Sequence, residues 1–380
     1  MDTHVNLRER IARDIGNRVV KLLVGPVGAG KSYFLAHDLF NGLSKKDGIK
    51  IVEINPRLEK DPLPRLLQMS ETNGTHFVIL ADDVFSFSRP ESIFDACAGK
   101  SNVDLIATSS FDPGLALGEK ETLIRGRFEK YYFSPLFYSE ALELGLVYNL
   151  DEYLSRGGLF LSKEVCLEET IREWLAFKRL RGDYEAKMSA LFDIALSHAD
   201  TPLSFEKMMS LAPFKVSKPC LISYFDFLKG AFLLLDLRRE DLLKERIKAC
   251  ESVYYPGDVA LGKGKANREA LEKSLLLMKL FEKSFRVSSG YVYGNFGGKF
   301  QATNVAFVLR KGRDKAYLSY AASDGARESE TMAKFLKDSF PKVVVVPFDV
   351  APWKDGNGIV HVGLERFLLS DIADILGGRW

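Results

Sequence analysis

Apolar and polar positions in the first 110 residues alternate in blocks. Residues 19–24, 49–54, 77–80 and 103–107 are short, nearly continuous apolar runs, and the segments 32–43 and 64–69 between them carry apolar residues at helical spacing. Runs of that length suit strands buried on both faces, so the pattern predicts α/β architecture, a parallel sheet covered by helices. A short charged helix over 7–15 precedes the first strand, with Arg8, Arg10 and Arg13 on a solvated face or, alternatively, at the adenine side of a nucleotide.

The period then becomes helical. Helices are predicted over 165–180, 184–197, 204–211 and 219–228, with Gly230 as a stop and the apolar run 231–237 as a strand behind them. The last two helices, joined through Pro213 and Ser217, have the outline of a helix-turn-helix. Beyond Val253 the order is α/β again. A strand-like opening over 254–261 leads to a long amphipathic helix over 267–283 and strands over 289–295, 304–309 and 315–320. A helix over 328–338, strands over 343–348 and 359–361, and a helix over 364–376 complete it. Three domains are expected, over 1–160, 161–245 and 246–380.

Composition adds limits. A chain of 380 residues with 46% hydrophobic content exceeds one ordinary core. A formal net charge of +2 gives no global basic field that would announce nucleic acid. Cys97, Cys166, Cys220 and Cys250 form no C-x-x-C pair, so neither disulfides nor zinc are expected. His4, His37, His76, His198 and His361 are scattered without ligand spacing. No run approaches the length of a membrane span and residues 1–10 lack an apolar signal core, so the expectation is a cytoplasmic protein with no membrane partner.

The chemistry concentrates at Gly25-Pro26-Val27-Gly28-Ala29-Gly30-Lys31-Ser32, which matches G-x-x-x-x-G-K-[ST] between a strand and a helix. Glycines let backbone N–H groups turn towards phosphates, the helix N-terminus favours negative charge, Lys31 reaches the outer phosphates and Ser32 can hold Mg²⁺. Tyr33, which opens the helix, is counted with this nucleotide-binding set. The third apolar run ends in Asp82-Asp83, where one acid can hold Mg²⁺ and its neighbour can orient or deprotonate a water. The fourth ends in Thr108-Ser109-Ser110, whose hydroxyls serve either as caps or as contacts to the γ-phosphate or the water; Ser109 is the candidate. Gly290, Gly294, Gly297 and Gly298 read as hairpin turns, and Gly262-Lys263-Gly264-Lys265 as a flexible basic loop.

GPVGAGKS, VILADD, IATSS and LIRGRFEKYYFSPLFYSEAL together resemble a group of prokaryotic AAA-superfamily ATPases. In that group a Gly-Arg pair and a Pro-Leu-Ser-Phe-x-Glu-like segment follow the sensor strand. Here they are Gly126-Arg127 and the segment from Ser134 to Glu140, and Gly157-Gly158 matches a Gly-Gly-x-Pro with Phe160 in place of proline. The resemblance implies a P-loop ATPase core, with Arg127 stabilising charge at the γ-phosphate; the alternative for 125–130 is an ordinary charged helix end. The group usually has Asp-Glu where this chain has Asp82-Asp83, so slow hydrolysis, or binding with negligible turnover, stays open. It also implies a winged-helix-like middle region, although the helix from Pro219 offers few donors to DNA and packing against protein is preferred.

The third segment looks like the restriction-endonuclease-like domain of the same group. Glu272 matches its helix glutamate, but the strand that carries a metal-binding aspartate reads Asn304-Val305-Ala306-Phe307, and Ser319 holds the next polar position. One carboxylate cannot hold a nuclease metal, so a catalytically inert domain is expected, with Asp258 as the strongest objection.

The expectation is therefore a Mg²⁺-dependent ATPase or nucleotide-driven switch. Lys31, Asp83, Arg127 and Ser109 carry the chemistry, Gly25 to Tyr33 hold ATP, and Ser32 and Asp82 hold the metal. The alternative is an ATP-dependent DNA-processing protein. A DNA or protein partner and a homo-oligomer both remain open.

Overall fold

The computed structural model describes residues 4–56, 58–59, 61–72, 74–117, 128–178, 182–283, 285–296 and 299–377. The chain clusters into two compact units. One comprises Met1–Pro135, Leu159–Ser189 and Phe225–Leu233, and the other Leu136–Gly158, Ala190–Tyr224 and Leu234–Trp380.

The first unit is built on five parallel strands: β1 (Val20–Val24), β2 (Ile49–Ile54), β3 (His76–Ala81), β4 (Val103–Ser109) and β5 (Phe128–Tyr132). Their order is β2-β3-β4-β1-β5, so β4 lies between the strand that feeds the phosphate loop and the strand that ends in acids. Central strands β1 and β4 are buried at every position and β3 at all but His76, as a parallel sheet covered on both faces demands. This is the parallel α/β sheet expected from the apolar runs.

Strand β5 departs from the charged helix end offered for 125–130. It is an edge strand, and its polar residues meet the N-terminal helix His4–Arg13 and the turn after it. Arg10 Nη2 donates to Glu129 Oε1 at 2.6 Å, and Tyr131 Oη donates to Asp14 Oδ2 at 2.6 Å. Edge position and these partners let a charged sequence be a strand. The helix Pro90–Cys97, absent from the sequence reading, buries Ile93, Phe94, Ala96 and Cys97.

The second unit holds nine strands: β6 (Pro202–Ser204), β7 (Leu234–Asp241), β8 (Arg246–Pro256), β9 (Arg286–Phe296), β10 (Lys299–Lys311), β11 (Asp314–Tyr320), β12 (Lys342–Val346), β13 (Trp353–Lys354) and β14 (Val360–Gly363). They form one mixed sheet in the order β13-β14-β12-β11-β10-β9-β7-β8-β6. The boundary expected at 245/246 falls inside the β7–β8 hairpin, at Glu245 with φ 49°. Parallel pairing of β7 with β9 through Arg239 and Ser289 then makes the hairpin part of the C-terminal sheet. The strand-like opening at 254–261 is the end of β8 followed by a helical turn, Val259–Gly262. Asp258 caps that turn by accepting from Ala260 N at 2.8 Å, and accepts from Gly158 N at 2.9 Å. The helix expected over 364–376 breaks at Asp371, which caps Ile372–Leu376. Among the described residues no helix is long and apolar enough to cross a membrane.

Back in the first unit, the Lys21 ammonium is fully buried against Asp104 Oδ1, while Asp104 Oδ2 accepts from Gly16 N at 2.8 Å and pairs with His76 Nε2 at 2.7 Å. Removing one partner of a buried pair leaves an uncompensated charge. Lys21→Met is therefore expected to lower stability by about 3–5 kcal/mol in urea denaturation, and an unchanged midpoint would show that Asp104 does not need the ammonium.

Candidate nucleotide site

Gly25 to Ser32 form a loop from the end of β1 into the helical turn Lys31–Tyr33, which continues through a π-helical turn, Phe34–Leu39, into Phe40–Leu43. Glycine is required at specific points. A methyl group on Gly25 would fall 2.0 Å from the Phe133 carbonyl oxygen, and Gly28 and Gly30 have φ of 81° and 97°, conformations that L side chains resist.

The Lys31 side chain folds back under its own loop. Its Nζ donates to the carbonyls of Gly25 at 2.8 Å and Pro26 at 2.7 Å, and the residue is only 7% exposed. Burial pushes its pKa down to about 8, against the pull of the carboxylates of Glu173, Asp82 and Asp83.

Strand order brings the predicted acid to the loop. Ser32 Oγ donates to Asp82 Oδ1 at 3.0 Å across fifty residues of sequence. The same oxygen accepts from Thr108 Oγ1 at 2.6 Å, and Thr108 Oγ1 in turn accepts from Asp83 N at 2.8 Å. Asp83 sits at φ 49° and ψ 62°, and its carboxylate accepts from Ser86 Oγ in its own turn.

Of the two strand-end hydroxyls, Thr108 faces Asp82. Ser109 is buried, with Oγ donating to Phe111 O at 2.6 Å and accepting from Phe111 N at 3.2 Å, while its carbonyl accepts from Gly25 N at 3.2 Å. Its side chain therefore holds the turn, and its backbone holds the loop. Tyr33 is exposed, with its ring 4.4 Å from that of His37. Gly126 and Arg127 lie outside the described residues.

Sequence reasoning missed Glu173. It lies on the helix Lys163–Lys178, whose Cys166, Thr170, Glu173 and Phe177 recur at helical spacing. The Cys166 sulfur lies 3.0 Å from where a methyl on Gly28 would be, and Trp174 and Phe177 pack on Phe111 with ring centroids at 5.4 and 5.8 Å. Phe177 also meets Phe85 at 5.8 Å. Burial first, then Asp83, push the Glu173 pKa up to about 7, while Lys31 pulls the other way. Helical spacing marked this face, but nothing local marked its glutamate as facing the loop. The connection ahead of the helix also touches the loop, with Phe160 N donating to Gly28 O at 2.8 Å.

The candidates in the second unit are structurally committed. Glu272 is buried, accepting from Arg268 Nε at 2.8 Å and from the Tyr320 hydroxyl. Ala306 and Ser319 line a nearby polar cavity of about 250 Å³, where Lys273 pairs with Asp200 at 2.5 Å and Glu269 at 2.8 Å. Both Asp258 oxygens accept backbone N–H groups, and burial pushes its pKa up to about 6. Among the described residues no three His, Cys, Asp or Glu side chains cluster to hold a metal.

No protein-family model and no curated protein matches this chain. Among solved structures it is similar to the Orc2 protein of Aeropyrum pernix, in ADPNP–ADP complexes, with TM-score 0.38 and 10% identity over 72% of this chain and 93% of that one. It is also similar to Cdc6p of Pyrobaculum aerophilum (TM-score 0.31, 12% identity, 74% and 95% covered). The Orc1 protein of Aeropyrum pernix in complex with DNA gives TM-score 0.29 and 11% identity, with 72% and 92% covered.

The loop geometry generates a paired expectation. Gly25→Ala should destabilise by about 1–3 kcal/mol through its clash with the Phe133 carbonyl. Gly42→Ala, in open space on the following helix, should stabilise by about 0.5–1 kcal/mol. Thermal melts compare the two, and equal effects would show that close approach does not constrain Gly25.

Proposed function

We propose that this chain is a Mg²⁺-dependent ATP hydrolase of the AAA superfamily that acts as a nucleotide-driven switch. The observation that carries the reading is the meeting of Ser32, from the phosphate loop, with Asp82, from the end of β3. A hydroxyl and a carboxylate at this spacing are hard oxygen donors that suit Mg²⁺, and they would hold it beside the phosphates. Held there, the ion would neutralise the charge that develops on the phosphates.

The chain's own residues do the remainder. Loop N–H groups and the helix N-terminus receive the phosphates. Lys31 exchanges the Gly25 and Pro26 carbonyls for the outer phosphate oxygens. Thr108 orients Asp82 by its hydrogen bond. The AAA resemblance gives Arg127 a γ-phosphate contact in this reading. Adenine comes into this reading from the AAA resemblance.

A second reading, ATP-driven engagement of DNA, has one observation in its favour. The helices Phe205–Leu211 and Lys218–Gly230 are followed by the β7–β8 hairpin, the element order of a winged helix. The exposed positions near the start of the second helix, Lys218, Pro219, Cys220 and Ser223, include a single cation. Packing against a protein partner is therefore favoured over a DNA groove. Phosphate release measured with and without DNA separates the two: hydrolysis indifferent to DNA supports the protein switch, and stimulation by DNA with salt-dependent binding supports the second reading.

Lys31→Ala is expected to weaken ATP binding in calorimetry to a Kd beyond roughly 1 mM, and unchanged affinity would overturn the assignment. The sign of the pH dependence follows from Lys31. Its pKa in the free protein is about 8, and phosphate contact favours the ammonium, so binding above that pH takes up a proton. ATP affinity should fall by about tenfold per pH unit above pH 8. Calorimetry in buffers of different protonation enthalpy reads the uptake directly; a flat profile with no uptake would contradict it.

A further inference from the structure

We infer that Glu173, on the helix Lys163–Lys178 whose Cys166 lies against Gly28 of the phosphate loop, accepts the proton of the attacking water during ATP hydrolysis. The inference rests on the reading of the loop as an ATPase site and adds a residue to it.

The two acids at the end of β3 are already engaged. Asp82 is shared between Ser32 and Thr108, on the metal side of the site. Asp83 is held in a left-handed turn with its carboxylate on Ser86, and it has one methylene fewer than a glutamate with which to reach outward. Glu173 supplies a longer carboxylate from another element. Its Oε2 is buried and meets no hydrogen-bond donor among the described residues. A buried carboxylate oxygen without a donor is costly, and a water placed against the loop would satisfy it.

The position of Glu173 is fixed by packing rather than chance. Trp174 and Phe177 clamp the helix on Phe111, Trp174 stacks on Phe227 at 5.1 Å, and Phe177 meets Phe85, two residues after Asp83. The charged groups that act on Glu173 are Lys31 from the loop, Asp83 from the turn after β3 and Glu169 from its own helix. Their balance with burial leaves a pKa of about 7, matched to general-base work near neutral pH.

The step balances as follows. The water oxygen forms a bond to the γ-phosphorus, and the bond from that phosphorus to the β,γ-bridging oxygen breaks. Its electron pair leaves with ADP. The water proton passes to the Glu173 carboxylate and from there to solvent.

The test compares wild type, Glu173→Gln and Glu173→Asp by ATP calorimetry, phosphate release across pH and thermal melting, with Mg²⁺ and ATP throughout. Glu173→Gln keeps shape and removes a charge near the phosphates. It should melt normally, bind ATP at least as tightly as wild type, release phosphate roughly a hundredfold more slowly and lose the rate's fall below about pH 7. Glu173→Asp should regain part of the rate. Phosphate release by Glu173→Gln at the wild-type rate, or faster, overturns the inference while leaving the ATP site intact. So does a wild type that binds ATP but releases no phosphate. A wild type that binds no ATP overturns the site reading itself. If Glu173→Gln melts early, the Glu173→Asp rate decides: partial activity with wild-type affinity supports the inference, and full activity overturns it.

Discussion

Burying the ammonium of Lys31 is the constraint on which the first unit's site depends. A charge taken out of water must be met by fixed dipoles and opposite charges. Here they come from the loop's own carbonyls at Gly25 and Pro26 and from carboxylates on two other elements. The remaining deficit appears as a pKa lowered from 10.5 to about 8, roughly 3 kcal/mol against the charged form. A phosphate group is the partner that would remove that deficit. The glycines answer other demands of the same loop: Gly25 the close approach of the Phe133 carbonyl, and Gly28 and Gly30 a positive φ. The sheet order sets the acid beside the loop: with β4 between β1 and β3, Thr108 bonds to Asp82, which also accepts from Ser32 of the loop.

Much of this was legible in the sequence because strong local signals coincide. The apolar runs marked β1 to β4 to within a residue or two at either end, and the octet from Gly25 to Ser32 marked the loop. The failures have physical causes. Side chains alternate along a strand, so a difference of one position separates Thr108, which faces Asp82, from Ser109, which points into the turn at Phe111. Strand β5 was obscured because Glu129 takes its partner from the N-terminal helix. Glu173 was invisible for the opposite reason. Its helix carries many charges and no strong apolar stripe, and only the ring packing of Trp174 and Phe177 shows which charge is turned inward.

The second unit follows a different logic. Its cores are apolar, and its buried acids are consumed by structure: Glu272 by Arg268 and Tyr320, Asp258 by two backbone N–H groups. The sequence suggested a separate middle domain, but the β7–β8 hairpin extends the C-terminal sheet through Arg239 and Ser289. The turn residues Leu242-Leu243-Lys244-Glu245 include no glycine, proline or asparagine to signal a turn, and only strand pairing shows that they close a hairpin.

The central claim is that Lys31 awaits phosphate. A crystal structure with Mg²⁺ and a non-hydrolysable ATP analogue tests it most directly. The account predicts the triphosphate along Gly25 to Ser32, with Lys31 Nζ moved off the Gly25 and Pro26 carbonyls to within about 3 Å of an outer phosphate oxygen. An analogue bound elsewhere, or bound with Lys31 still on those carbonyls, would contradict it.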